Sequence, residues 1–510
     1  MLQKNFIDET EIRKYYQDEY QTKMQKTLES LEKCLTKNNL KNLPTVRLAK
    51  ISLSNFKNVE KGEITFSCGK KYVPYGTEAD ILGLYGQNGS GKTTLINALE
   101  FVRMMMLGVP YKIMSQLCYG YVKADADFAT IRVVFDLQYR DGRIRTVSYE
   151  FSFKDDIQSF ETSAGVIKKC QMQLINEKIS MGGDFYGKKQ KLQPVIDTSN
   201  PKTPFASVAK QKEFIGSSDK LAKVLKFREK SFNTVGSFVF MKESLKYYKK
   251  QGNYSEFYQV LLELKLFAFR FFFMIGTNIT GFIRMNVGIV LCTMYGDTFL
   301  YYDKPNYYKS EDIDYLEEHV DKVSIVMEQL IPGMKLKLKR NFDLVAEDGR
   351  IDIDLVVVKN GLEIPIKYES EGTCRLISVM SLFIWAFSCQ SCTIAIDEFD
   401  AGIFEYLLGE ILEIFQESGK GQLIFTAHNL RPLEVLDKKF VYFTTTDSKK
   451  RYTQLKHIGK TNNLRNTYLR EIVLGTEDDE EIYFATEKYN ILQALYEAEP
   501  EILKEAKGNG

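Results

Sequence analysis

Apolar positions along this chain recur at two spacings, and the switches between them divide it. Residues 9–35 place Ile12, Tyr16, Tyr20, Met24, Leu28, Leu31 and Leu35 at three- and four-residue steps, which predicts an amphipathic helix for packing or dimer contact. From Val46 the spacing falls to two. Val46, Leu48, Ile51 and Leu53 predict a strand, Ile64 and Phe66 a second, and the apolar run 81–85 a third. Residues 95–106 then read as a helix, and 131–139 with 144–153 as a hairpin closed at Asp141-Gly142. Residues 156–330 lose the alternation and read as mostly helices with Lys-rich loops, for instance at Lys188, Lys189 and Lys191. Within them, 260–275 reads as one buried helix. Ile313, Leu316, Val320, Val323, Met327 and Leu330 form the seam of another helix, core-facing or at an interface, closed by Pro332-Gly333. Strands return at 335–338, 351–358 and 362–366, followed by a helix at 376–387 and further strands at 393–396, 422–426, 440–444 and 452–456. The expected organisation is an N-terminal helical segment (1–45) and an α/β head in two parts (46–155 and 331–472). A mainly helical insert (156–330) interrupts the head, and an acidic helical tail (473–510) follows it.

Composition narrows the class of protein. An apolar share of 44% and a charged share of 27% are ordinary for a globular protein, and a net charge of +2 neither demands nor excludes nucleic acid. The first residues carry charges throughout, unlike a secretory leader. The most apolar stretch is interrupted by Glu263, Lys265 and Arg270, each of which a bilayer would penalise. A cytoplasmic protein with no membrane partner is expected. The eight Cys follow no regular framework, which suits a reducing compartment. Cys389 and Cys392 make the single CxxC, and a zinc site would need two further ligands that no second such pair supplies. Packing beside a buried strand is the simpler reading.

Four short stretches carry chemistry. Gly86-Gln87-Asn88-Gly89-Ser90-Gly91-Lys92-Thr93 satisfies the P-loop pattern and stands where it should, between an apolar strand and a helical run. Its glycines let successive backbone N–H groups turn towards a phosphate at a helix N-terminus. Gly86, Asn88, Gly89, Ser90, Gly91, Lys92, Thr93 and Thr94 are therefore expected to hold ATP, with Lys92 on the β- and γ-phosphates and Thr93 on Mg²⁺. The strand 393–396 runs into Asp397 and Glu398. Two adjacent carboxylates at a strand end divide the work, Asp397 binding Mg²⁺ and Glu398 activating the attacking water. Glu369-Ser370-Glu371-Gly372-Thr373-Cys374-Arg375 precedes a long apolar helix and, taken alone, is a helix cap. The strand 422–426 ends in Ala427-His428-Asn429.

The order and spacing of these stretches resemble ABC-type ATPases, specifically the SMC-like branch. That resemblance makes Ser370 and Gly372 a signature that clasps the γ-phosphate bound by an opposing copy, with the usual Gln or Lys of the motif replaced here. It makes His428 a switch histidine acting on the γ-phosphate in catalysis beside Glu398, and Asp400 an acid crossing the dimer seam. It also asks for an Mg²⁺-linked glutamine, for which Gln138 and Gln116 are candidates. The opening Ile51-Ser52-Leu53-Ser54-Asn55-Phe56, the Glu-Ser-Glu-Gly-Thr signature, the box Asp397-Glu398-Phe399-Asp400-Ala401-Gly402 and the Ala-His-Asn switch are similar to stand-alone AAA-type bacterial ATPases related to the overcoming-lysogenization-defect family. These include ATPase subunits of the PARIS and Septu anti-phage systems. The resemblance implies a Mg²⁺-dependent ATPase that works as a homo-oligomer, a head-to-head dimer or a higher multiple. Only 82 residues follow His428 (510 minus 428), too few for the Toprim nuclease of the overcoming-lysogenization-defect proteins. A separate effector, such as a Toprim or HNH nuclease, is therefore the expected partner. The alternative is a DNA-binding repair ATPase using Lys188, Lys189, Lys191, Lys449, Lys450, Arg451 and Lys456 as phosphate contacts.

Overall fold

The computed structural model describes residues 43–66, 79–109, 120–162, 165–215, 219–234, 236–241, 244–245, 255–276, 283–284, 288–293, 296–346, 349–455, 463–474 and 488–498. The helix predicted at 9–35 lies outside them, as do Gln116, Lys456 and parts of the tail.

An antiparallel sheet opens the fold. β1 (Thr45–Phe56) pairs with β2 (Val59–Thr65) on one side. Next come β3 (Asp80–Tyr85) and helix α1 (Lys92–Leu107), then β4 (Ala129–Gln138), β5 (Ile144–Thr162), β6 (Gly165–Phe185) and β7 (Lys188–Asp197). β4 to β7 complete a six-stranded sheet in the order β2-β1-β4-β5-β6-β7. The alternation in β1 and β4 follows from this placement, because one face packs on α1 and the other meets solvent. α1 itself is buried at every position except Thr93, so its apolar residues run all round it.

Residues 156–330 are not the mainly helical insert the sequence predicts. β5 continues to Thr162, and β6 and β7 extend the same antiparallel sheet. After them come α2 (Val208–Ile215), α3 (Asp219–Thr234), α4 (Glu256–Arg270), β8 (Phe272–Gly276), β9 (Ile283–Arg284), β10 (Gly288–Thr293), β11 (Gly296–Tyr301), β12 (Tyr307–Tyr308) and α5 (Ser310–Leu330). Two physical causes hid the strands. Register shifts at Ser152/Phe153, Ile179/Ser180 and Met181/Gly183 break the two-residue period. The run 260–275 is apolar throughout because α4 and β8 are both buried, and composition does not tell a buried helix from a buried parallel strand. Lys188, Lys189 and Lys191 accordingly stand on the edge strand β7 rather than in a loop, where exposed lysines discourage pairing with another sheet.

The second half supplies β13 (Met334–Val345), β14 (Ile351–Lys359), β15 (Leu362–Pro365), α6 (Glu371–Ser388), β16 (Thr393–Ile396), α7 (Glu405–Ser418), β17 (Gln422–Thr426), α8 (Pro432–Val435), β18 (Val441–Thr444), β19 (Tyr452–Thr453), α9 (Leu464–Leu474) and α10 (Lys488–Glu497). The central sheet has the order β19-β18-β3-β17-β16-β8-β9, with β18, β3, β17, β16 and β8 parallel. β3, β16 and β17 are buried at every position, as strands covered on both faces must be. β8, from the supposed insert, is thus a full member of this sheet beside β16. The predicted seam of α5 faces the core through Ile313, Leu316, Val320, Val323 and Met327. The two sheets are joined by buried polar contacts. Gln422 donates to Leu48 O at 2.9 Å and to Asp80 Oδ2 at 2.8 Å, and accepts from Leu48 N at 3.2 Å. Cys392 is buried in the core next to β16 and Cys389 half-buried at the end of α6.

Candidate functional site

The P-loop is the turn between β3 and α1. Gly86, Gly89 and Gly91 take φ values of 148°, 75° and 103°, the left-handed region that glycine enters without a steric penalty. A Cβ built on Gly86 would lie 1.7 Å from Thr444 Oγ1, whereas one on Gly89 meets nothing within 4 Å because the loop faces open space there. Lys92 Nζ curls back and donates to Gly86 O at 2.7 Å and Gln87 O at 3.1 Å. Burial lowers its pKa, while Asp397, Asp400 and Glu398 pull the other way. An ammonium held by neutral carbonyls inside an acidic surround is poised to exchange them for phosphate oxygens. Thr94 Oγ1 donates to Asn58 Oδ1 at 2.8 Å, and Asn88 is exposed.

Residues separated by more than 300 positions in sequence meet next to Lys92. β16 is separated from β3 by one strand, β17, so its C-terminal acids arrive beside the start of α1. Thr93 Oγ1 donates to Asp397 Oδ1 at 3.3 Å, and the same oxygen accepts from Thr426 Oγ1 at 2.6 Å. Thr426 Oγ1 also accepts from Glu398 N at 2.8 Å. Glu398 has φ 49°, a left-handed conformation that a non-glycine residue holds only where its surroundings fix it. A hydroxyl and a carboxylate in contact form a hard-oxygen donor set of the kind Mg²⁺ takes.

Ser370 caps α6, its exposed Oγ accepting from Thr373 N at 3.2 Å. A Cβ on Gly372 would come 2.3 Å from Gly402 O, so the start of α6 and the 397–402 turn lie in direct backbone contact. Asp400, the acid that the resemblance places at the dimer seam, is half-buried and bonded within its own chain. Its Oδ2 accepts from His428 N at 2.8 Å and Asn429 N at 2.6 Å in its own chain, pinning the turn after β17 while the His428 side chain stays exposed.

Gln138 does not stand at the metal-ligand position that the resemblance asks for. It ends β4, paired with Thr45 at the start of β1, whereas the other end of β1 leads to Asn58 at the P-loop. At about 3.3 Å of rise per strand residue a twelve-residue β1 is up to about 36 Å long, and Gln138 stands at its far end from the P-loop, away from the metal-ligand position. The sequence reading also missed the residues that brace the loop. Asn58 Nδ2 donates to Gly89 O at 2.5 Å, Tyr452 OH to Gly91 O at 3.0 Å, and Thr444 Oγ1 lies 2.5 Å from Ser90 Oγ. Arg451, proposed from sequence as a phosphate contact, is buried and donates to Thr445 O at 2.7 Å and Asn58 O at 2.8 Å. No local motif marks these residues, because β18 and β19 reach the loop only through the central sheet.

The fold is that of an α/β ABC-type head: a P-loop on one parallel strand, paired acids on the next strand but one, and an antiparallel sheet wrapped on the P-loop helix. A family model described as an AAA domain matches residues 50–266. Among solved structures, the SMC head domain from Thermotoga maritima is similar at 14% identity, over 81% of this chain and 100% of that one, with a TM-score of 0.32. An SMC head with an extended coiled coil, bound to the C-terminal domain of ScpA and derived from Pyrococcus furiosus, is similar at 14% identity, over 81% and 96%, with a TM-score of 0.34. The recombination mediator RecF, with ATPrS, matches at 14% identity over 81% and 100%, with a TM-score of 0.34. No curated protein matches. Among the described residues, no helix is long and apolar enough to cross a membrane.

Proposed function

We propose that this chain binds and hydrolyses MgATP, and that it serves as the nucleotide-switched sensor and scaffold of a bacterial anti-phage system whose effector, a nuclease, is a separate protein. The observation that carries the ATPase reading is the 3.3 Å contact between Thr93 and Asp397, with Lys92 and Glu398 on either side of it. ATP supplies the phosphoanhydride bond. Lys92 leaves the loop carbonyls to hold the outer phosphates, and Thr93 and Asp397 hold Mg²⁺. Glu398 takes a proton from the attacking water, and His428 reaches the γ-phosphate. Ser370 and Gly372 of a second copy close the site from the opposite face, so that binding joins heads and hydrolysis parts them. The defence role rests on the sequence resemblance.

Sedimentation with and without ATP tests the switch. Glu398→Gln is expected to dimerise or assemble further with ATP, and Lys92→Ala to lose nucleotide binding while keeping its fold. A Glu398→Gln protein that stays monomeric in saturating ATP removes the trans-site reading. The DNA-repair alternative has the exposed lysines of β7 in its favour, but loses Arg451 to the interior. It predicts tight DNA binding that weakens steeply with salt and stimulates turnover.

A further inference from the structure

Arg375 lies on α6, five residues beyond Ser370, and is 6% exposed. Its Nη2 donates to Asp397 O at 3.3 Å and also to Glu398 O. Its Nε is buried without a partner among the described residues, which carries a desolvation cost. Burial lowers the pKa of the guanidinium, and the charges of Glu398, Asp400, Asp397 and Glu371 pull the other way. The Thr426 hydroxyl accepts from Glu398 N at 2.8 Å.

The left-handed backbone of Glu398 is therefore held by two groups on different elements. Thr426 belongs to β17, which is bonded on both sides inside the parallel sheet. Arg375 belongs to a helix whose start, at Ser370 and Glu371, is exposed. The backbone contact between Gly372 and Gly402 leaves no slack between that turn and the acid-bearing loop. A displacement of the start of α6 must move Glu398 with it, through one rigid contact and two hydrogen bonds.

We propose that Arg375 is a positioning residue that ties the Glu398 carboxylate to the state of Ser370 and Gly372 in the same head. A head then hydrolyses its own ATP when its signature end is engaged by a second copy. This rests on the reading of Glu398 as the base and of Ser370 as a trans contact. It adds that the two act on each other within one chain, by way of the α6 arginine.

The test compares steady-state ATPase activity with equilibrium binding of a fluorescent ATP analogue for wild type, Arg375→Gln and Arg375→Lys. A shift of about 1 Å in a reacting group costs roughly 100-fold in rate. Arg375→Gln is expected to lower kcat by that order while changing KM and analogue affinity less than about twofold. Arg375→Lys keeps the charge and one donor and should recover most of kcat. Trp385, the one tryptophan of the chain, stands on the same helix and reports its movement. Its ATP-induced emission change should survive in Arg375→Gln although turnover does not. Should Arg375→Gln fail to fold, the Arg375→Lys protein carries the comparison, with a smaller fall in kcat at unchanged KM. Unchanged kcat in a folded variant overturns the proposal and leaves the ATPase reading intact, as does a loss of affinity in step with rate. A wild-type protein that binds ATP but never turns it over overturns both.

Discussion

Glu100 lies on α1, two turns beyond Lys92, and is 3% exposed, with its Oε1 lacking a partner among the described residues. Burial pushes its carboxyl up to about 8, against the smaller opposing pull of Arg103 and Lys57. The sign of the consequence is fixed by linkage. Below the ordinary glutamate value of 4.5 both folded and unfolded chains hold the proton, so Glu100 has no pH effect there. Above it the unfolded chain releases the proton while the folded chain keeps it, and stability falls until the pH passes the folded value. At about 1.4 kcal/mol per pH unit, this amounts to roughly 5 kcal/mol lost between pH 4.5 and 8. Glu100→Gln keeps the shape and removes the titration. Urea unfolding of the two proteins from pH 4.5 to 9 is the assay. The stability difference in favour of Glu100→Gln should be near zero at the acid end, grow through the interval and level off above pH 8. A constant offset across the range would refute the reasoning, because it would show that the carboxyl does not change protonation between the two states. The same mutant should lessen any decline of ATP affinity at alkaline pH, since the buried charge forms on the helix that carries the P-loop.

Two further perturbations probe the contacts that shape the site. Gly372→Ala places a carbon 2.3 Å from Gly402 O, and neither backbone yields easily. A cost of roughly 1–3 kcal/mol in stability is expected together with a fall in ATPase rate, measurable by thermal melting and steady-state kinetics. Tyr452→Phe removes the donor to Gly91 O. The loss of about 1 kcal/mol should weaken ATP-analogue binding roughly fivefold in equilibrium titrations while leaving the melting temperature almost unchanged.

Local pattern was enough wherever one stretch of chain carries its own physical reason. The P-loop is legible because glycines at Gly86, Gly89 and Gly91 are demanded by positive φ, and the strand before it and helix after it are consecutive in sequence. Asp397 and Glu398 are legible because a fully buried four-residue strand must end in something polar at the sheet edge. The core-facing seam of α5 and the hairpin of β4 and β5 follow from period alone. Only the tertiary structure decided how far the antiparallel sheet extends, since bulges erase the period and a side chain's facing depends on register. It alone made β8 a strand of the central sheet, because burial on both faces leaves no polar stripe to read. It put Gln138 at the far end of β1, bonded Asp400 Oδ2 to the backbone of His428 and Asn429, and buried Arg451. It also brought Asn58, Thr444, Tyr452 and Arg375 to the loop and the acids. The contacts of Thr444 and Tyr452 span 354 and 361 residues, and even those of Asn58 with Gly89 and of Arg375 with Asp397 span 31 and 22, so none leaves a mark in either segment until the sheet and helix that join them have been built.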